Sequence, residues 1–137
     1  MHIPWDDALQ LDIPGMDDEH RILTQLMNQL IEHIRAPKPN EKAIVAMARD
    51  IGLFTARHFL HEEHSMAVHH YSGYGSHKRE HDRLLVQLDA VSDGLDRDGM
   101  TAVDDGLVEF LHGWVVSHIV SQDKAYATFL KHGNHDF

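Results

Sequence analysis

Two pairs of side chains four residues apart mark the middle of this sequence: His58 with Glu62 in HFLHEE, and His77 with His81 in HKREH. On a helix such residues stand one turn apart on one face, so each pair can aim two donor atoms at a single point. YSGYGS between the pairs reads as a turn, which sets two antiparallel helices with those faces opposed. His118 and Asp123 make a third pair at spacing five. That pair diverges on an ideal helix unless a local distortion, or an Asp reaching sideways, brings it together. His20 adds a fifth imidazole.

Taken singly, each of these is more simply a core histidine bonded to a backbone carbonyl, or a solvated charge. Together they put five imidazoles and two carboxylates on inward stripes, which would be strongly destabilising without a metal. Seven ligands are too many for one ion and suit two. If both carboxylates and one solvent-derived oxygen bridge the ions, five histidines shared as three and two leave one ion with a vacant position. One open site inside an apolar bundle suits a small diatomic ligand. Bridging carboxylates and octahedral geometry favour iron or manganese over tetrahedral zinc, and iron is the expected metal.

The elements that must position these residues are helical. Residues 1–16 form an extended arm, with Trp5 as a packing anchor and Leu9, Leu11 and Ile13 laid against the body. Asp17 and Asp18 open a helix over about 17–36 whose apolar residues Leu23, Met27, Leu30 and Ile34 follow the 3.6 period. APKPN ends it, and Asn40 caps a second helix to about 69. Its stripe, Ile44, Met47, Ile51, Phe54, His58, Glu62 and Met66, is apolar apart from the candidate ligands. Ser76 caps a third helix over about 76–96. Thr101 with Asp104 resembles a capping box opening a fourth, 101–131, and the last residues, KHGNHDF, read as frayed. The expectation is one all-α domain spanning 1–137, an up-down-up-down four-helix bundle with an extended N-terminal arm.

Composition narrows the function. No cysteine excludes disulfides, zinc–thiolate and iron–sulfur sites. A formal charge of −10 argues against nucleic acid and anionic membranes. No apolar run is long enough to span a bilayer, and the acidic start is unlike a signal peptide, so the cytoplasm is the expected location. Fourteen histidines are several times the usual number, so their placement carries the reading.

On these residues the chain resembles the hemerythrin family in its bacterial single-domain form. Trp5 heads the arm, MDDEH supplies His20, HFLHEE supplies His58 and Glu62, HKREH supplies His77 and His81, and HIVSQD supplies His118 and Asp123. The match covers nearly the whole chain. Asp12 stands where glycine is frequent and Met16 where isoleucine is common; neither touches a ligand. The resemblance implies that His77, His81 and His118 hold a saturated iron, and that His20 and His58 hold the iron with the open position. It also implies that Glu62 and Asp123 bridge both ions beside an oxo or hydroxo bridge. Dioxygen would bind the open iron reversibly, with electrons and proton drawn from the metal centre and no catalytic residue required. Leu23, Phe54, Trp114, Val115 and Ile119 lie within a turn of ligands and are candidates for the wall of the oxygen pocket. The remaining histidines have no matching role; His61 and His64 are expected at the surface or just behind the ligands.

The expected function is reversible dioxygen binding for transport, storage or delivery to an oxygen-using enzyme, by a monomer. The alternative is sensing of oxygen, nitric oxide or iron through a partner protein. An oxygen-activating enzyme ranks below both, because such enzymes on four-helix scaffolds use Glu-x-x-His motifs and more carboxylates.

Overall fold

The computed structural model describes residues 2–137. Its helices are α1 (Pro14–Ile34), α2 (Glu41–Val68), α3 (Tyr74–Asp98), α4 (Asp105–His118) and α5 (Lys124–Gly133). The last two are one rod joined by a π-turn, Ile119–Asp123, so the architecture is an up-down-up-down four-helix bundle. No strand occurs among the described residues, and no helix is long and apolar enough to cross a membrane. The apolar stripes meet along the axis, where Met27, Leu30, Ile44, Met66, Leu88 and Leu111 are fully buried.

Helix starts follow local chemistry that the sequence only partly disclosed. α1 begins three residues before the expected site, with Pro14 in its first turn, where a missing N–H costs nothing. Asp17 therefore does not cap. It reaches back to the arm, accepting from the backbone N–H groups of Leu11 at 2.9 Å and Asp12 at 3.0 Å. Asn40 caps α2 through the Ala43 N–H. α3 starts at Tyr74 rather than after Ser76. Asp104 is itself the N-cap of α4, accepting from Leu107 N–H at 2.8 Å. Thr101 sits instead in a 3-10 turn, Gly99–Ala102, and donates to the Asp98 carbonyl.

The arm is pinned by α1. Asn28 accepts from Ile3 N–H at 2.7 Å and donates to the Ile3 carbonyl at 2.9 Å, supplying both partners a strand neighbour would give. Ile3, Leu9, Leu11 and Ile13 are buried, and the Arg21 guanidinium lies 4.9 Å over the Trp5 ring. The C-terminus is not frayed. Asn134 takes a left-handed conformation that reverses the chain, and Phe137 packs 4.1 Å from the His61 ring. Gly15 makes room for it, since a Cβ there would come within 2.9 Å of the Phe137 ring.

Candidate metal centre

All seven candidate ligands converge in the bundle, each at most 6% exposed. The two carboxylates divide their oxygens between two groups of histidines. Glu62 Oε1 lies 2.9 Å from His81 Nε2 and 3.5 Å from His77 Nε2. Asp123 Oδ1 lies 3.0 Å from His77 Nε2 and 3.1 Å from His118 Nε2. The opposite oxygens face the other way: Glu62 Oε2 is 2.9 Å from His58 Nε2, and Asp123 Oδ2 is 2.9 Å from His20 Nε2. The donors thus fall into two sets, His77, His81 and His118 in one and His20 and His58 in the other, with Glu62 and Asp123 common to both.

These atoms suit metal ions better than one another. His58 Nε2, His81 Nε2, His118 Nε2, both His20 nitrogens, both Glu62 oxygens and Asp123 Oδ2 are buried without a well-formed hydrogen bond. Leaving that many polar atoms unpaired in a core would cost on the order of 10 kcal/mol or more, at about 1–3 kcal/mol each. Five neutral nitrogens with two carboxylates common to both sets are a hard-to-borderline donor set that iron accepts. Without metal, protons take its place. Burial disfavours charge on His20, His58 and His77, but the facing carboxylates outweigh it and hold them protonated to about 9, 10 and 9. Burial likewise opposes ionisation of Glu62 and Asp123, and the surrounding imidazoles still hold both below the usual carboxylate range.

The π-turn explains the five-residue spacing. Lys124 N–H reaches back to the Ile119 carbonyl, so this turn takes in one residue more than an α-turn. Asp123 comes to lie above His118 as an i+4 residue would on a regular helix. Ser121 Oγ donates to the Ser117 carbonyl at 2.6 Å beside the widened turn.

Three side chains behind the ligands were not singled out from the sequence. Glu19 accepts from His58 Nδ1 at 2.7 Å and from His61 Nδ1 at 2.6 Å. Glu63 accepts from His81 Nδ1 at 2.8 Å. A carboxylate on Nδ1 fixes the tautomer that presents the Nε2 lone pair inward. Each glutamate is adjacent in sequence to a ligand, in EH and EE, and that adjacency was the available signal. Phe59 stacks on His81 with ring centroids 3.7 Å apart and meets His118 edge-on at 5.4 Å.

Of the five residues proposed to wall an oxygen pocket, Leu23, Trp114, Val115 and Ile119 are buried. Phe54 is only half-buried, and Phe59 is the phenyl ring that lies among the ligands. Trp114 leans on Phe59 and lines a cleft of about 260 Å³ that reaches His118. His61 is nearly half exposed yet tied to the centre through Glu19.

A family model described as the hemerythrin HHE cation binding domain matches residues 11–130. The chain is 30% identical to a bacteriohemerythrin of Methylococcus capsulatus over 114 residues, covering 83% of this chain and 85% of the relative. It is 29% identical over 122 residues to a hemerythrin of Themiste dyscrita, covering 89% and 88%. A bacteriohemerythrin of Stenotrophomonas maltophilia is 27% identical over 127 residues, covering 93% and 80%.

Proposed function

The chain belongs to the hemerythrin family, and on that premise we propose that it holds two iron ions and binds dioxygen reversibly, for transport, storage or delivery to an oxygen-using enzyme. The observation that carries this reading is the opposed division of the Glu62 and Asp123 oxygens between three histidines and two. His77, His81 and His118 complete one ion. His20 and His58 serve the other, which has one protein donor fewer and so keeps a position for ligand. When bound, the irons supply the electrons and the open position that dioxygen needs.

The protein's own residues hold that arrangement. Glu62 and Asp123 would hold both ions, and Glu19 and Glu63 aim His58 and His81. Leu23, Trp114, Val115 and Ile119 exclude water from a site where water would promote oxidation. No side chain is assigned as a catalytic acid or base, and we read the protein as a carrier rather than an enzyme, acting as a cytoplasmic monomer. Five imidazoles against two carboxylates support binding over oxidation, because anionic oxygens stabilise high oxidation states better than neutral nitrogens.

The test is an optical titration of iron-loaded protein reduced without air, exposed to oxygen, then flushed with inert gas. A visible ligand-to-metal band that appears with oxygen and fades on flushing is the expected result. Immediate, irreversible conversion to the diferric form would overturn the carrier reading.

A further inference from the structure

Tyr126 is not a ligand, yet it lies against one. It is fully buried, and its ring stands edge-on to His77 with centroids 6.4 Å apart. On its other side Tyr71, half-buried, stands at 4.9 Å. Aromatic rings within about 7 Å of one another are in mutual contact. An unbroken file of rings therefore runs from a candidate iron ligand through Tyr126 to Tyr71 near the surface. The place of Tyr71 is guarded by Gly73, where a Cβ would fall 2.7 Å from its ring.

The Tyr126 hydroxyl has a route of its own. It hydrogen-bonds to Ser65 Oγ at 2.5 Å. Ser65 in turn lines a surface hollow of about 170 Å³, shared with His64, His69 and Asp136. A phenol gives up an electron readily only if its proton can leave with it, and this pairing supplies the outlet. Trp114 is the contrasting case: also buried beside the site, it has an indole N–H with no hydrogen-bond partner.

We propose that Tyr126 and Tyr71 form an electron path between the metal centre and the surface, with Ser65 as the proton outlet of Tyr126, that discharges hydrogen peroxide reaching the bound irons. The proposal rests on the di-iron reading above. Reducing one hydrogen peroxide to two waters takes two electrons and two protons. Each passage delivers one electron from Tyr126 to the oxidised centre and releases the phenolic proton through Ser65 to solvent, while the peroxide being reduced takes up one proton from solvent. Tyr71 then returns one electron to Tyr126, which recovers its proton by the same hydroxyl, while Tyr71 loses its own proton outward. A small one-electron reductant such as ascorbate refills Tyr71, and two passages complete the reduction. Dioxygen itself is too weak an oxidant to draw an electron from a phenol, so carriage leaves the path idle.

The experiment is rapid freeze-quench electron paramagnetic resonance on iron-loaded protein mixed with hydrogen peroxide. Iron content and the reversible oxygen band are recorded on the same samples. The expected result is a tyrosyl signal that Tyr126→Phe abolishes, with iron content and oxygen band unchanged, and that Trp114→Phe leaves in place. Tyr71→Phe should lengthen the life of the signal in ascorbate several-fold. Ser65→Ala should slow its appearance several-fold and change its solvent isotope effect. Loaded, oxygen-binding protein that gives no tyrosyl signal, or the same signal in Tyr126→Phe, would overturn the path alone. A chain that takes up no iron would overturn the di-iron reading along with it.

Discussion

The carboxylate of Glu19 joins His58 and His61, accepting a hydrogen bond from Nδ1 of the first at 2.7 Å on one oxygen and from Nδ1 of the second at 2.6 Å on the other. One imidazole is buried against the metal site and the other is nearly half exposed, so Glu19 ties the two-histidine side of the centre to the surface.

Glu19→Gln should lower metal affinity selectively on that side. Loss of a carboxylate behind a histidine ligand costs about 10- to 100-fold in affinity. Titration with ferrous iron should show one tight and one weakened ion per chain. Glu63→Gln should weaken the other ion instead, since Glu63 holds His81. Equal loss at both ions in either variant would show that these carboxylates do not act locally.

The widened turn at Ile119–Asp123 predicts an asymmetry between deletion and insertion. Deleting the exposed Val120 converts the turn to regular helix and keeps His118 and the aspartate on one face. Inserting an alanine after Val120 instead turns the aspartate by about 100°. The deletion should retain two irons per chain by metal analysis and the insertion should lose them. Loss of iron in both would mean that the π-turn sets more than the facing of this pair.

Stability of the metal-free protein should depend on pH at both ends. The folded pKa values of His20, His58 and His77 are raised to about 9, 10 and 9, so their contribution is full below about 6.5 and is lost as pH rises through those values. Each can add a slope of up to about 1.4 kcal/mol per pH unit in that window. Glu62 and Asp123 are depressed, so their contribution is present above about 4 and is lost as pH falls further. Urea unfolding should therefore show a plateau between about pH 4 and 6.5. Loading with metal releases the histidine protons and should flatten the alkaline fall. A metal-free protein equally stable at pH 6 and 9 would contradict this.

Leu23→Ala and Ile119→Ala remove buried side chains close to His20 and His118, at a cost of about 2–5 kcal/mol in stability. Each should also speed loss of the visible oxygen band in air, because the cavity admits water. A decay rate equal to that of the unchanged protein, with the expected fall in stability, would remove that residue from the pocket wall.

The seven residues that converge in the bundle could be picked out in the sequence because helical spacing is a local property. His58 with Glu62 and His77 with His81 share a face wherever the helix packs, and a histidine on an apolar stripe is conspicuous. The same reasoning named Asn40 as a cap and placed the arm against the body. It misread Asp17, Ser76 and the C-terminus, since a cap and a back-folded tail are decided by competition among nearby hydrogen bonds and contacts. The π-turn could only be suspected from the spacing of His118 and Asp123. Its formation depends on the cost of widening one turn against that of leaving Asp123 outside the cluster, a balance set by three other helices. Glu19 and Glu63 carry charges that sequence alone leaves to solvent. Packing α1 against α2, and α2 against α3, turns them onto the back of His58 and His81. Which carboxylate oxygen faces which histidines is likewise a relation between helices, and it exists only once the bundle has closed.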